Sequence, residues 1–123
     1  AEKVAKIPVP DVEVQGCADD ADLLIVGFGG TYGHLYSAME EMNKAGKKVA
    51  LAHFTYLNPL PKNTEAVLKK YKKVVVAEQN LGQFASYLRM KIDNFTPYQF
   101  NEVKGQPFVV AELVAAFNKL IDN

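Results

Sequence analysis

Three short apolar runs, each followed by a segment with apolar residues at helical spacing, constrain the fold of this chain more than any other feature. The runs are "LLIVG" (Leu23 to Gly27), "KVALAHF" (Lys48 to Phe54) and "KVVVAE" (Lys73 to Glu78). Continuous apolar runs with β-branched residues are typical of strands covered on both faces. Because parallel neighbours need helical crossovers that pack on the sheet, the pattern predicts an α/β fold: a three-layer α/β/α sandwich with a mainly parallel sheet.

The segment after the first run has the spacing of a helix. Leu35, Met39 and Met42 recur on one helical face, and Gly46 follows where a left-handed C-cap is expected. Methionine fills irregular gaps in apolar cores, so Met39, Met42 and Met90 are all predicted to be core residues.

The rest of the chain continues the alternation. "NTEAVLKKY", from Asn63, predicts a short helix, and "YQFNEV" near Tyr98 predicts a last strand. Two more helices are predicted from apolar faces, one at Leu81, Phe84, Ala85, Leu88 and Ile92 and the other at Val110, Leu113, Val114, Phe117 and Ile121.

The leading segment differs from the rest in composition. "KIPVPDVEVQG" contains Pro8 and Pro10, which favour extended backbone, followed by an alternation of Val12 and Val14 that would suit one edge strand. We therefore divide the chain into an extended arm at 1–16 and an α/β domain at 17–123. A length of 123 residues suits one compact domain.

Charge and composition exclude several classes of protein. The 14 basic and 14 acidic side chains cancel, so no global field favours nucleic acid or an anionic membrane. The run "KKYKK" (Lys69 to Lys73) is typical of a solvated helix end. The single Cys17 cannot form an internal disulfide or supply a four-thiolate metal cluster. With no signal-peptide pattern and no apolar run near about 18 residues, we expect a cytoplasmic protein.

Three loops follow the predicted strands, at the edge where parallel sheets bind ligands: "GFGGTYGH", "FTYLNPLPKN" and "EQNLGQ". The first does not match the known phosphate loops. A dinucleotide fingerprint counted from Gly27 needs glycine at the sixth position, which is Tyr32, and His53 rather than an acidic residue lies near the end of the second strand. A P-loop lysine is also absent.

Two interpretations of the glycine loop remain open. In the first, the glycines shape a tight turn and Thr31 caps the following helix. In the second, the amides of Gly29, Gly30 and Thr31, at a helix N-terminus, attract an anion or an acidic group of a partner.

"EQNLGQ" also has two interpretations. Asn80 and Gln83 have the spacing of a capping box, which is a structural role. Alternatively, Glu78 contacts a ligand or a subunit from the end of its strand. No nucleophile, base and orienting group can be assembled from the chain, and neither histidine has a second ligand at metal spacing, so no catalytic or metal-binding residue is predicted. The candidate assembly or ligand-facing residues are Gly27, Gly29, Gly30, Thr31, Tyr32, His53, Tyr56, Glu78, Asn80 and Gln83.

A family resemblance extends this interpretation. The succession "ADLLIVGFGGTYG", "GKKVALAHFTYLNPLPKN", "VVVAEQNLGQFASYLR" and "NEVKGQPFVVAEL" resembles the C-terminal, transketolase C-terminal-like domain of the alpha subunit of 2-oxoacid:ferredoxin oxidoreductases, from about Ala21 to Phe117. "HFTYLNPLP", "EQNLGQ" and "VKGQPF" are most similar to the 2-oxoglutarate-using members. Many relatives have Gly-Ser-Thr where this chain has Gly29-Gly30-Thr31, which makes side-chain recognition at that turn a weaker expectation.

The resemblance implies a Rossmann-like domain with a five-stranded mixed sheet, in which the arm adds an antiparallel edge strand and Leu23 to Gly27 lie centrally. It implies a complex that converts 2-oxoglutarate, coenzyme A and oxidised ferredoxin to succinyl-coenzyme A, CO2 and reduced ferredoxin. Thiamine diphosphate, Mg2+ and an iron-sulfur cluster would be bound outside this fragment. The fragment, inactive alone, would contact other domains of the alpha subunit and the beta subunit, and would meet ferredoxin only through the complex.

Two alternatives from other classes remain. A free-standing, flavodoxin-like protein would bind a small molecule or an anion at Gly29 to Thr31. An interaction module of an unrelated complex would share the lack of catalytic residues but not the thiamine-dependent partner.

Overall fold

The computed structural model describes residues 11–28, 32–54, 61–78, 83–92, 95–101 and 109–122. Strands and helices alternate along the chain after the first strand. In chain order the elements are β1 (Val14–Gly16), β2 (Leu23–Phe28), α1 (Tyr32–Lys44), β3 (Val49–Phe54), α2 (Thr64–Lys70), β4 (Val74–Glu78), α3 (Gln83–Lys91), β5 (Tyr98–Asn101) and α4 (Val110–Asp122).

The strands form one five-stranded mixed sheet in the order β1, β3, β2, β4, β5. β2 lies at the centre and pairs in parallel with β3 and β4, and β5 pairs in parallel with β4. β1 pairs antiparallel with β3, with Val14 opposite Ala52. The predicted fold class, including the antiparallel edge strand, is therefore confirmed.

Alternate residues of each strand contribute to two separate cores. On one face, Leu24 and Val26 of β2 pack with Leu68 of α2 and with the apolar side of α3. On the other face, Leu23 and Ile25 pack with α1 and α4. Both faces of the central strands are thus covered, which explains why their sequences are continuous apolar runs rather than alternating ones.

The structure confirms the predicted end of α1. Gly46 has φ of +94°, a left-handed conformation that glycine adopts without the steric penalty of a Cβ. The amide of Gly46 donates to the carbonyl of Asn43 at 3.1 Å, and the amide of Lys47 donates to the carbonyl of Met42 at 3.0 Å. The first bond gives the Asn43 carbonyl a partner at the helix end, and the second adds to the bond that the Met42 carbonyl accepts from the Ala45 amide at 3.1 Å.

The prediction that all three methionines lie in the core is correct for Met39 and Met42 but wrong for Met90. Met90 is 78% exposed, whereas Met39 and Met42 are buried. The reason is helical geometry. α3 packs through Phe84 and Leu88, and Met90 comes two residues after Leu88, about 200° around a helix of 3.6 residues per turn, so it points away from the sheet.

Candidate functional site

The carboxyl ends of the parallel strands meet at one edge of the sheet, which we call the carboxyl edge. There β2 ends at Phe28, β3 at Phe54 and β4 at Glu78. The parallel register aligns Gly27 with His53 and Phe28 with Phe54. Two of the candidate residues, Gly27 and His53, are therefore direct neighbours across the sheet.

An aromatic cluster of Tyr32, Tyr36 and His53 lies beside this edge on the α1 face. Tyr32, the first residue of α1, stacks on Tyr36 with ring centroids 5.7 Å apart and meets the edge of His53 at 5.2 Å. The Tyr32 hydroxyl donates to Oε1 of Gln15 in β1 at 2.9 Å. α1 is thereby tied to the edge strand and to β3 at once, while the Tyr32 side chain stays 39% exposed.

The second tyrosine of the cluster is polarised by an acidic neighbour. A hydrogen bond to the Glu40 carboxylate, together with its negative charge, raises the pKa of the Tyr36 phenol above its ordinary value.

An open groove of about 600 Å³ runs from this tyrosine between β1 and α1. Its lining consists of Gln15, Gly16, Tyr36, Met39, Glu40, Asn43 and Lys44.

On the opposite face of the sheet, Glu78 has a different environment. It is only 3% exposed, and its two carboxylate oxygens accept hydrogen bonds from the backbone amides of Phe84 at 2.9 Å and Ala85 at 3.0 Å. Those amides belong to the first turn of α3, where a helix has no internal acceptors for them. The Glu78 carboxylate therefore caps α3 from the end of β4.

The cap also fixes an aromatic side chain. The Phe84 ring lies 5.3 Å from the ring of Phe28 and 5.7 Å from that of Phe54, measured between centroids. Since these two residues end β2 and β3, the start of α3 packs across the carboxyl ends of both strands.

The structure thus brings together Tyr32 and His53 on one face and places Glu78 on the other. Gly29, Gly30, Thr31, Tyr56 and Asn80 lie outside the described residues, and Gln83 is described only through its backbone as the first residue of α3. The roles predicted for all of the candidate residues therefore remain predictions.

Three residues of this region were not among the candidate residues: Gln15, Tyr36 and Phe84, the last of which was predicted only as part of an apolar helix face. Tyr36 had a usable signal, because it follows Tyr32 by four residues and such pairs meet on one side of a helix. Nothing in the sequence pairs Gln15 with Tyr32 or Phe84 with Phe28, since those contacts depend on the order of the strands in the sheet.

The contacts that the structure describes at the carboxyl edge are aromatic packing and hydrogen bonds. Within the described ranges no group of three His, Cys, Asp or Glu side chains could hold a metal ion. In the same residues no helix is long and apolar enough to cross a membrane. What the described part of the carboxyl edge offers is an exposed tyrosine on a braced aromatic cluster, a geometry suited to a protein contact.

Comparison with known proteins identifies similar sequences. Residues 21–112 match the family model described as pyruvate:ferredoxin oxidoreductase core domain II. The chain is 43% identical over 113 residues to 2-oxoglutarate oxidoreductase subunit KorA of Mycobacterium tuberculosis. That alignment covers 90% of this chain but 17% of the relative, so the chain spans about a sixth of that curated protein.

Solved structures include similar domains. One of them is 2-oxoglutarate:ferredoxin oxidoreductase from Magnetococcus marinus, solved with 2-oxoglutarate, coenzyme A and succinyl-CoA bound. This chain matches it with a TM-score of 0.84 at 29% identity, and the match covers 92% of this chain and 20% of that one. A split-gene transketolase, solved as an inactive beta4 tetramer, matches with a TM-score of 0.67 at 15% identity over 95% of this chain and 44% of its own. This second likeness concerns the fold alone.

Proposed function

The chain belongs to the pyruvate:ferredoxin oxidoreductase core domain II family, and on that premise we propose that it is this domain of the alpha subunit of a 2-oxoglutarate:ferredoxin oxidoreductase. The observation that carries the proposal is the 43% identity to a KorA subunit over 90% of the chain. The superposition on the Magnetococcus marinus enzyme supports the same substrate class.

The proposed reaction of the whole complex is an oxidative decarboxylation. The bond between the carboxylate and the keto carbon of 2-oxoglutarate breaks and CO2 leaves. The remaining acyl carbon forms a bond to the sulfur of coenzyme A, whose thiol loses its proton. Two electrons pass to oxidised ferredoxin, and succinyl-coenzyme A is released. Thiamine diphosphate would supply the stabilisation of negative charge on the former keto carbon.

Two of these groups lack a ligand set in the part of the chain that the structure describes. A four-thiolate iron-sulfur cluster cannot be built from the single Cys17, and the described residues offer no metal-binding group for Mg2+. In this proposal other domains or subunits bind Mg2+ and the cluster, and the family resemblance implies the same for thiamine diphosphate. The free thiol of Cys17 is compatible with a reducing, cytoplasmic location for the complex.

In this proposal the domain serves assembly. Its partners are the other domains of the alpha subunit and the beta subunit, and ferredoxin interacts with the complex rather than with this domain. Tyr32 is the residue that we expect at the contact, because it combines a large exposed ring with a hydroxyl held by Gln15. Tyrosines of this kind contribute disproportionately to the affinity of protein interfaces.

The activity is tested on the complete alpha subunit, tagged and copurified with its partners. We expect a brown complex that contains thiamine diphosphate and reduces ferredoxin when 2-oxoglutarate and coenzyme A are both present. Pyruvate at the same concentration is the matched control substrate and is expected to support a much lower rate. A tagged chain that purifies alone, colourless and without thiamine diphosphate, would contradict the proposal.

The assembly role is tested with two substitutions in the same subunit. Tyr32→Ala removes the exposed ring and is expected to weaken copurification of the beta subunit or loosen the domain within the alpha subunit. Tyr32→Phe keeps the stacking on Tyr36 and is expected to assemble nearly as well as the unchanged protein. Equal assembly of both variants, with no gain in protease sensitivity around this domain, would exclude Tyr32 from the contact.

A further inference from the structure

Glu78 is a buried acidic residue whose position apolar packing alone does not explain. Its neighbours along β4, Val76 and Ala77, are fully buried and apolar. Burial of a carboxylate among such residues is strongly unfavourable unless hydrogen bonds replace the lost water. The amides of Phe84 and Ala85 provide that replacement, one to each carboxylate oxygen.

The Glu78 carboxylate lies at the N-terminus of a helix, a position that attracts anions. The N-terminus of a helix combines unpaired amides with the positive end of the helix dipole, and it binds phosphates, sulfates and carboxylates. In parallel α/β sheets the helix start that follows a strand is also where external ligands are most often bound. α3, nine residues long, begins at such a place, beyond the carboxyl end of β4.

We propose that Glu78 acts as an internal anion, filling the position at the N-terminus of α3 that an external phosphate or carboxylate would otherwise take. The site is consequently closed to external anions in the native protein. This inference goes beyond the proposed oxidoreductase function and does not depend on it. It concerns only the described contacts of Glu78, Phe84 and Ala85.

The inference predicts a latent anion site. Glu78→Ala removes Cγ and the carboxyl group, and these atoms together have the size and charge of an acetate ion. Loss of two charge-assisted hydrogen bonds within a buried site should lower the midpoint of thermal unfolding of the full chain by about 5–15 °C. Acetate should then restore a large part of that loss in a saturable manner, because a ligand that binds only the native state stabilises it.

The controls separate binding from general salt effects. Sodium chloride at the same ionic strength should not reproduce the rescue by acetate. The unchanged protein, whose site is filled, should show only the small, non-saturable stabilisation that acetate and phosphate give to any folded protein relative to chloride. Glu112→Ala removes an exposed carboxylate from the first turn of α4 and should show neither a large loss of stability nor a specific response to acetate.

Two further measurements keep the test decisive if Glu78→Ala does not fold. Glu78→Gln fills the same volume but can accept only one of the two amides, so an intermediate loss without acetate rescue is expected. In the unchanged protein, hydrogen exchange at the amides of Phe84 and Ala85 should be slower than at Ala111 and Glu112, the equivalent positions of α4. A folded Glu78→Ala variant that ignores acetate, or equal exchange at the two helix starts, would overturn the proposal.

Discussion

At the scale of single residues, Gly16 occupies a position that requires glycine. It has φ of +86°, and a Cβ built on it would lie 2.6 Å from both the Met39 sulfur and the Val49 carbonyl oxygen. We expect Gly16→Ala to lower the free energy of unfolding by about 2–4 kcal/mol, because it adds a steric conflict to an unfavourable backbone conformation. Urea denaturation at neutral pH measures the change.

Gly33 is the matched control for this substitution. It lies in the first turn of α1, and apart from its chain neighbours and the backbone of its own helix, no atom of the described residues lies within 4 Å of the position of its Cβ. Gly33→Ala should be neutral or should stabilise the protein by up to about 1 kcal/mol, since alanine restricts the unfolded chain and favours the helix. If both alanine variants had the same stability, the conflict at Gly16 would not exist in solution.

The Asn63 side chain makes a contact that the sequence pattern did not predict. The pattern "NTEAVLKKY" predicts a helix from Asn63, and α2 does begin one residue later, at Thr64. The Asn63 side chain, however, makes no capping hydrogen bond to the helix. Its amide instead accepts from the Val12 amide at 2.9 Å and donates to the Val12 carbonyl at 3.0 Å. That partner is distant in sequence, so no local pattern could have indicated it.

At the scale of elements, α4 is secured by a residue from a neighbouring strand end. The Lys73 ammonium group donates to the carbonyls of Leu120 at 2.7 Å and Ile121 at 3.0 Å, in the last turn of the helix. A cation there satisfies unpaired carbonyls and interacts favourably with the negative end of the helix dipole. Lys73→Met should therefore cost about 1–2 kcal/mol and speed hydrogen exchange in that last turn.

Lys72→Met provides the comparison, since Lys72 is the exposed neighbour in the same run of basic residues. Its loss should change the free energy of unfolding by less than about 0.5 kcal/mol. Equal effects of the two substitutions would mean that general charge, rather than the contact with α4, determines the result. The run "KKYKK" predicted only a solvated helix end, because the approach of α4 cannot be read from spacing along the chain.

The same contrast explains which elements could be predicted. β2, β3 and β4 were recognisable because burial on both faces requires continuous apolar runs, and their observed limits differ from the predicted ones by one residue at one end of each. The cap of α3, in contrast, could not be predicted from the sequence. Its sequence has a local capping pattern at Asn80 and Gln83, yet the described contact comes from Glu78, a residue of the preceding strand. The position of that carboxylate depends on how α3 packs across the sheet.

At the scale of the whole molecule, residues at the amino-terminal edge of the sheet hold distant parts of the chain together. The Tyr71 hydroxyl and the Lys70 ammonium group both donate to the carbonyl of Ala18, and Lys48 forms an ion pair with Asp20 at 3.1 Å. Burial, assisted by the negative charge of Asp19, raises the pKa of the Tyr71 phenol above its ordinary value of 10.0. The Tyr71 phenol can donate this hydrogen bond to the segment that follows β1 only while it keeps its proton.

The raised pKa of Tyr71 predicts how the stability of the molecule depends on pH. Between the ordinary phenol pKa of about 10 and the higher value in the folded state, the native protein retains a proton that the unfolded chain has lost, so the free energy of unfolding falls as pH rises. Tyr71→Phe should be less stable at neutral pH, because the hydrogen bond to Ala18 is lost, but its stability should decline less steeply above about pH 10. Urea denaturation at neutral and alkaline pH measures both effects.

Tyr98→Phe, which removes an exposed phenol, is the control and should show the same pH dependence of stability as the unchanged protein. If the stabilities of all three proteins declined in parallel at alkaline pH, Tyr71 would not couple folding to this proton.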